Sequence, residues 1–211
     1  MKSGKITLSL IITSMISTLV LATDFSYSNL TVGYISAEVG GGDSVDADGF
    51  DIEMSGNLSE DWFGFISYHD IETDSFSGGT IGTTDLVFGA GSHTPISDTM
   101  DFVATFGYSF SEVDVSLGDL SGSVDGYGFV GALGVRKALG DKLELGLFAN
   151  YSAIEYDHSL GEKEGFGFLL EGRYFFTDAV SLGVAYETVP FEVVGEDLDI
   201  DEISISARFD F

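Results

Sequence analysis

The sequence predicts an all-β protein, a closed antiparallel up-and-down barrel of ten strands with eight as the alternative count. Three observations carry that expectation. Segments of about ten residues alternate apolar and polar side chains, the period that puts every second residue of a strand on one face. Short turns made of an apolar residue, a small residue and an aspartate separate them, at Leu58–Asp61, Ile96–Asp98, Leu139–Asp141 and Phe176–Asp178. Their aspartates recur 37, 43 and 37 residues apart, the length of a strand, a longer connection, a second strand and a tight turn.

Residues 1–22 precede the pattern and read as a secretory signal peptide. Lys2 and Lys5 form its positive start, Ile6 to Leu21 its apolar stretch, and Val20-Leu21-Ala22 its cleavage region. The stretch is shorter than the ~20 residues of a spanning helix. With no cysteine in the chain, a lipid anchor, a disulfide framework, a thiolate metal site and a cysteine nucleophile are all excluded. Cleavage would take the formal charge from −27 to −29 and leave residues 23–211 as one domain. Eight Lys and Arg against 35 Asp and Glu disfavour nucleic acid as a partner. At 44% hydrophobic the chain is too apolar to be a disordered acidic protein.

The strands fall at 25–39, 49–58, 62–73, 84–94, 100–114, 126–138, 142–157, 165–176, 179–190 and 202–211. In the second, Phe50, Ile52, Met54 and Leu58 oppose Asp51, Glu53, Ser55 and Asn57. In the fifth, Phe102, Ala104, Phe106, Tyr108 and Phe110 share a face, as do Leu143, Leu145, Leu147, Ala149 and Tyr151 in the seventh. Phe166, Phe168, Leu170, Tyr174 and Phe176 mark the eighth, and Ile203, Ile205, Ala207, Phe209 and Phe211 the last. The 62–73 strand has apolar residues on both parities, so its faces stay unassigned. The longer connections, Gly40–Asp48, Asp74–Thr83, Ser116–Asp125, Ser159–Glu164 and Glu192–Asp201, are rich in Gly, Asp, Glu and Ser.

The apolar face is expected to meet lipid, making the barrel transmembrane. The other face is rich in small residues, such as Gly107, Gly128, Gly134, Gly146, Gly167 and Gly183, where a water-facing exterior would carry more Lys and Glu. Its charges are of both signs: Arg136, Glu144, Glu171, Arg173, Arg208 and Asp210 form a candidate lumenal polar network. Aromatic residues gather at strand ends, Tyr108, Tyr127, Tyr151 and Tyr186 toward the longer connections and Trp62, Tyr174, Phe176, Phe209 and Phe211 toward the tight turns. An even strand count returns both termini to the tight-turn side, which in such barrels is periplasmic, and puts the longer connections outside the cell.

The last strand, Ile203 to Phe211, resembles the C-terminal signal of bacterial outer-membrane proteins. That likeness implies recognition by the barrel-assembly machinery through Ala207, Phe209 and Phe211. The chain after its signal resembles the small outer-membrane barrels of the OmpX, opacity and OmpA-transmembrane kind, although ten strands depart from the common eight.

Chemistry-bearing motifs are few. His69 and His158 are expected near the longer connections and His93 near a tight turn. A hydrolase at the outer rim would need His paired with Asp or Ser, but Asp157 and His158, as strand neighbours, point to opposite faces. Asp43, Asp46 and Asp48 in the first connection, and Glu196 to Glu202 in the fifth, are candidates for weak Ca²⁺ binding, because clustered oxygens suit a hard cation. No cofactor is expected. The reading is a monomeric, non-enzymatic outer-membrane barrel with acidic external loops and a role in adhesion or envelope integrity. Its partners are membrane lipid and lipopolysaccharide. A narrow passive pore is the alternative, and a rim hydrolase the third.

Overall fold

A strand with one apolar and one polar face satisfies its backbone only against neighbours on both edges, and ten strands achieve this by closing into a ring. The computed structural model describes residues 25–40, 44–73, 79–118, 120–157, 161–193 and 196–211. Its strands are β1 Asn29–Val39, β2 Val45–Asn57, β3 Trp62–Thr73, β4 Gly79–Ser97, β5 Met100–Leu117, β6 Leu120–Ala138, β7 Leu143–Tyr156, β8 Gly161–Thr177, β9 Val180–Val193 and β10 Glu196–Asp210. Each pairs antiparallel with the next, and β1 closes on β10 from Asn29↔Asp210 to Val39↔Ile200. The barrel therefore has ten strands rather than eight. The expected signal peptide, residues 1–22, lies outside the described residues.

Register settles the faces. Leu30, Val32 and Tyr34 on β1 point outward beside Met54, Ile52 and Phe50 on β2, all at least 39% exposed. On β3, Trp62, Ile66 and Tyr68 face outward, Ile66 between Met54 and Phe88, while Phe63 and Phe65 face the lumen. The mixed parity of β3 arises because lumenal glycines give those two rings somewhere to lie. A Cβ on Gly91 would come within 2.2 Å of the Phe63 ring, and one on Gly89 within 2.7 Å of Phe65. The ring of Tyr156 covers Gly126 in the same way.

Two expectations about the ends are corrected. The first strand begins at Asn29, not residue 25, because Phe25–Ser28 turns under the barrel. The longer connections are shorter than expected: most of Ser116–Asp125 and Glu192–Asp201 is strand, as are Val45–Asp48 and Gly79–Thr83. Leu117 pairs directly with Leu120.

At the far end the alternation does not stop; it changes sign, so Asp46, Asp48, Asp125 and Asp201, expected in the longer connections, are strand residues. Along β1 the outward residues pass from Leu30, Val32 and Tyr34 to Ser36 and Glu38, and the inward ones from Asn29, Thr31 and Gly33 to buried Ile35 and Ala37. On β2 outward Phe50, Ile52 and Met54 give way to Asp48 and Asp46, with Ala47 buried between them. On β5 outward Phe106 and Phe110 are followed by Glu112 and Asp114, with Val113 buried inside. β3, β6, β7 and β10 do the same at Asp70, Asp125, Glu155 and Asp201. The far end is thus an acidic collar with an apolar interior, continuous with a barrel whose polarity is the reverse. That interior forms two clusters, one around Ile35, Ala47, Ile71 and Ile200 and one around Val113, Ile154 and Tyr156.

If the outward belt faces lipid, Leu147→Arg at its mid-height should destabilise the folded protein by about 2–4 kcal/mol in bilayers. Glu155→Arg, outward on the same strand but in the collar, should change stability by less than ~1 kcal/mol. Denaturant titration in lipid vesicles measures both.

Candidate functional site

Inside the barrel the charged residues gather toward the tight-turn end. Arg136 on β6 and Glu144 on β7 are diagonal neighbours on the inward face, since Ala138 is the residue opposite Glu144. Arg136 donates from Nε and Nη2 to the two Glu144 oxygens at 2.8 and 3.0 Å, in a pair almost wholly removed from solvent. Arg208 and Asp210 are two residues apart on β10 and share one face, with Nε to Oδ1 at 2.8 Å. Arg173 on β8 is more loosely held, its Nη2 3.8 Å from Glu171 and 3.4 Å from Ser206.

Two of these arginines hold the segment just before β1. Arg136 Nη1 and Arg208 Nη2 both donate to the Ser26 carbonyl, at 3.1 and 2.7 Å. The Arg136 guanidinium also lies over the rings of Phe25 and Tyr27, 4.9 and 4.7 Å from their centroids. Tyr27 stacks on Phe63 and on His93, with centroids 4.9 and 4.0 Å apart, and donates to Asp101 at 2.9 Å. Burial pushes the Tyr27 phenol above its ordinary range, so it stays the donor in that bond. Phe25–Ser28 thereby crosses the tight-turn mouth of the lumen, packed with Phe63, Phe65, Val103 and Phe148.

At the other end the outward tyrosines reach the collar. Tyr34 donates to Asp48, Tyr151 to Glu164 and Tyr186 to Asp201 across neighbouring strands, and Tyr68 to Asp70 on its own strand. Each phenol bonds a carboxylate one step beyond the aromatic belt. Lys137 and Lys142 lie at the tight-turn end, Lys142 beside the Tyr174 ring.

The sequence-derived candidates divide accordingly. Arg136, Glu144, Arg208 and Asp210 form two tight pairs, with Glu171 and Arg173 nearby in the same lumen. Asp46 and Asp48 do not sit in a loop: they are outward residues of β2, separated by buried Ala47, and Asp43 lies outside the described residues. Among the described residues no group of three or more His, Asp or Glu side chains could hold a metal ion. His158 lies outside the described residues. His69 faces the lumen 3.8 Å from Glu202. His93 faces it too, as a ring under Tyr27. Phe209 and Phe211 are exposed on the outer surface, and the Phe211 amide donates to the Ser28 carbonyl at 3.0 Å. The tail clamp was not foreseen, because main-chain acceptors such as Ser26 carry no sequence signature. The inward acids Asp51 and Glu53 were visible in the alternation of β2 but were not connected to the arginines.

The family model described as outer membrane protein beta-barrel domain matches residues 8–163. The chain belongs to that outer-membrane family. No curated protein matches it in sequence. Solved outer-membrane barrels share its fold at low identity. The translocator domain of autotransporter NalP from Neisseria meningitidis is 9% identical with a TM-score of 0.51, covering 89% of this chain and 90% of that one. The NanC porin is 11% identical with a TM-score of 0.50, covering 85% and 100%. Ail, the attachment invasion locus protein of Yersinia pestis, is 12% identical with a TM-score of 0.44, covering 87% and 99%. As a barrel of the bacterial outer membrane, the protein meets lipid with its apolar outer belt.

Removing Arg136 would leave Glu144 buried without its partner. Arg136→Ala should therefore cost about 3–5 kcal/mol of stability, and replacing both Arg136 and Glu144 by Leu should recover most of that loss. Denaturant melts of the three variants in the same detergent make the comparison.

Proposed function

We propose that the protein is a non-conducting, non-enzymatic surface barrel whose working face is the acidic collar, serving adhesion or envelope integrity. In this reading the tight turns and both termini face the periplasm and the collar stands outside the cell. The observation that carries it is the clamp on Phe25–Ser28. A segment held by two arginines, Asp101 and stacked rings obstructs the lumen where a pore would have to open. The side chains left available for macromolecular partners are then those outside, and in the collar the charged ones include Glu38, Asp46, Glu112, Asp114 and Glu155.

Such a ring, just beyond the lipid belt, lies at the height of the phosphates of lipopolysaccharide. Like charges there repel unless a divalent cation lies between them, and oxygen ligands suit Ca²⁺ or Mg²⁺. Lipopolysaccharide bridged through such ions is the partner this surface fits. The closed β1–β10 seam leaves no open sheet edge, which suits a monomer, and β10 supplies the strand that the assembly machinery would read. His69, turned into the lumen toward Glu202, argues against hydrolysis at the rim.

A narrow passive pore is the second reading, favoured by a lumenal cavity of about 410 Å³ lined by charged and polar groups. Planar-bilayer recording separates the two. The protein should insert silently; steady unitary openings would reject the plugged reading. Calorimetric titration should show Ca²⁺ binding at millimolar concentration or tighter, and a flat isotherm would remove divalent bridging from the proposal.

A further inference from the structure

The cavity in the lumen lies within the roughly 300–1,000 Å³ range of small-molecule sites. One row of the inward ladder runs along its wall. Cross-strand pairing aligns Arg173 on β8, Gly183 on β9, Ser206 on β10, Gly33 on β1 and Asp51 on β2. The three residues between the charges are small, and the charged side chains lie down over them from both sides. A Cβ on Gly183 would come within 3.1 Å of Cζ and Nη2 of Arg173, and one on Gly33 within 2.0 Å of Oδ1 of Asp51. Gly183 and Gly33 are two strand spacings apart, about 10 Å.

The Arg173 side chain is only 7% exposed. Its Nη2 makes the long contacts to Ser206 and Glu171, but the buried Nε and Nη1 have no hydrogen-bond partner among the described residues. Buried N–H donors of this kind call for an acceptor. Arg136 and Arg208 also line the cavity but are already committed to Glu144 and Asp210, so Arg173 is the arginine with donors to spare. Around it the balance is acidic. Asp51, Glu53, Glu171, Glu187 and Glu202 line the same cavity. A simple anion would be repelled by those carboxylates, and a simple cation would leave the donors of Arg173 unanswered. A small molecule carrying both charges meets both demands.

We propose that the lumen binds a small zwitterion of the α-amino-acid type across the Gly183–Ser206–Gly33 floor, its carboxylate on Arg173 and its ammonium on Asp51 and Glu53. The proposal does not depend on whether the barrel conducts.

Equilibrium dialysis of the full chain, folded in detergent micelles, against labelled L-alanine, putrescine and acetate tests it. L-alanine should bind with a Kd below about 1 mM, and putrescine and acetate about tenfold more weakly or worse. Arg173→Gln and Asp51→Asn should each weaken L-alanine binding by about tenfold or more, and Arg173→Lys by less. The mobility of unheated samples on a gel reports whether each variant is folded. If one variant does not fold, the other carries the comparison, and the preference of the unaltered protein for L-alanine over the singly charged probes decides if neither does. Absence of L-alanine binding, binding indifferent to both substitutions in folded protein, or putrescine binding as tightly as L-alanine would each overturn the proposal.

Discussion

Each face of a strand must match the medium it meets, and in this barrel the two media change sides part-way along the strands. In the belt the outside is lipid, where no water can satisfy a backbone or a charge, so the ring must be closed and its outer face apolar. The inside of the belt can then hold Arg136, Glu144 and their neighbours. Beyond the belt the outside is aqueous and the carboxylates move there, while Ile35, Val113 and Ile154 fill the interior. Crossing lipid takes about 9–11 residues per strand, but β4 and β6 each have 19. The surplus builds a short soluble-type barrel on top of the membrane one, and the Tyr–carboxylate pairs mark the seam between them.

The lumen follows from the same constraint. Charges facing inward at belt height have no lipid to avoid but little water to use, and Arg136 and Arg208 are accordingly paired with Glu144 and Asp210. Buried ion pairs of this sort add little net stability compared with apolar packing, but they are exacting about geometry. Here that geometry serves to position Phe25–Ser28. Glycine makes the arrangement possible on a curved wall: wherever a ring or a charged head lies flat across a neighbouring strand, as Phe63 does over Gly91 and Arg173 over Gly183, the residue beneath has no side chain.

The barrel, its strand count and its tight turns were legible in the sequence because lipid imposes a strict period of two on every strand. The Arg136, Arg173 and Arg208 positions were legible for the same reason, as they fall on the face opposite Leu133, Tyr174 and Phe209. What escaped was the change of sign at the collar. Asp46, Asp48 and Asp125 sit in stretches with the composition of loops, and only their pairing shows that they are strand. Register also settled β3, where Phe63 and Phe65 look like an error in the alternation until the glycines on β4 are seen beside them. The clamp could not be read at all, since it depends on a main-chain carbonyl and on residues far apart in the chain.

That separation has a consequence for assembly. The Ser26 carbonyl is gripped from β6 and from β10, and its contact with Arg208 spans 182 positions of sequence. The grip from β10 cannot exist until the final strand lies beside the first, so the segment is held from both sides only after the ring is complete. A contact made that late contributes nothing to the barrier for insertion and acts instead on the rate of escape. Phe25–Ser28 then works as a latch, slow to release and indifferent to how quickly the barrel was built.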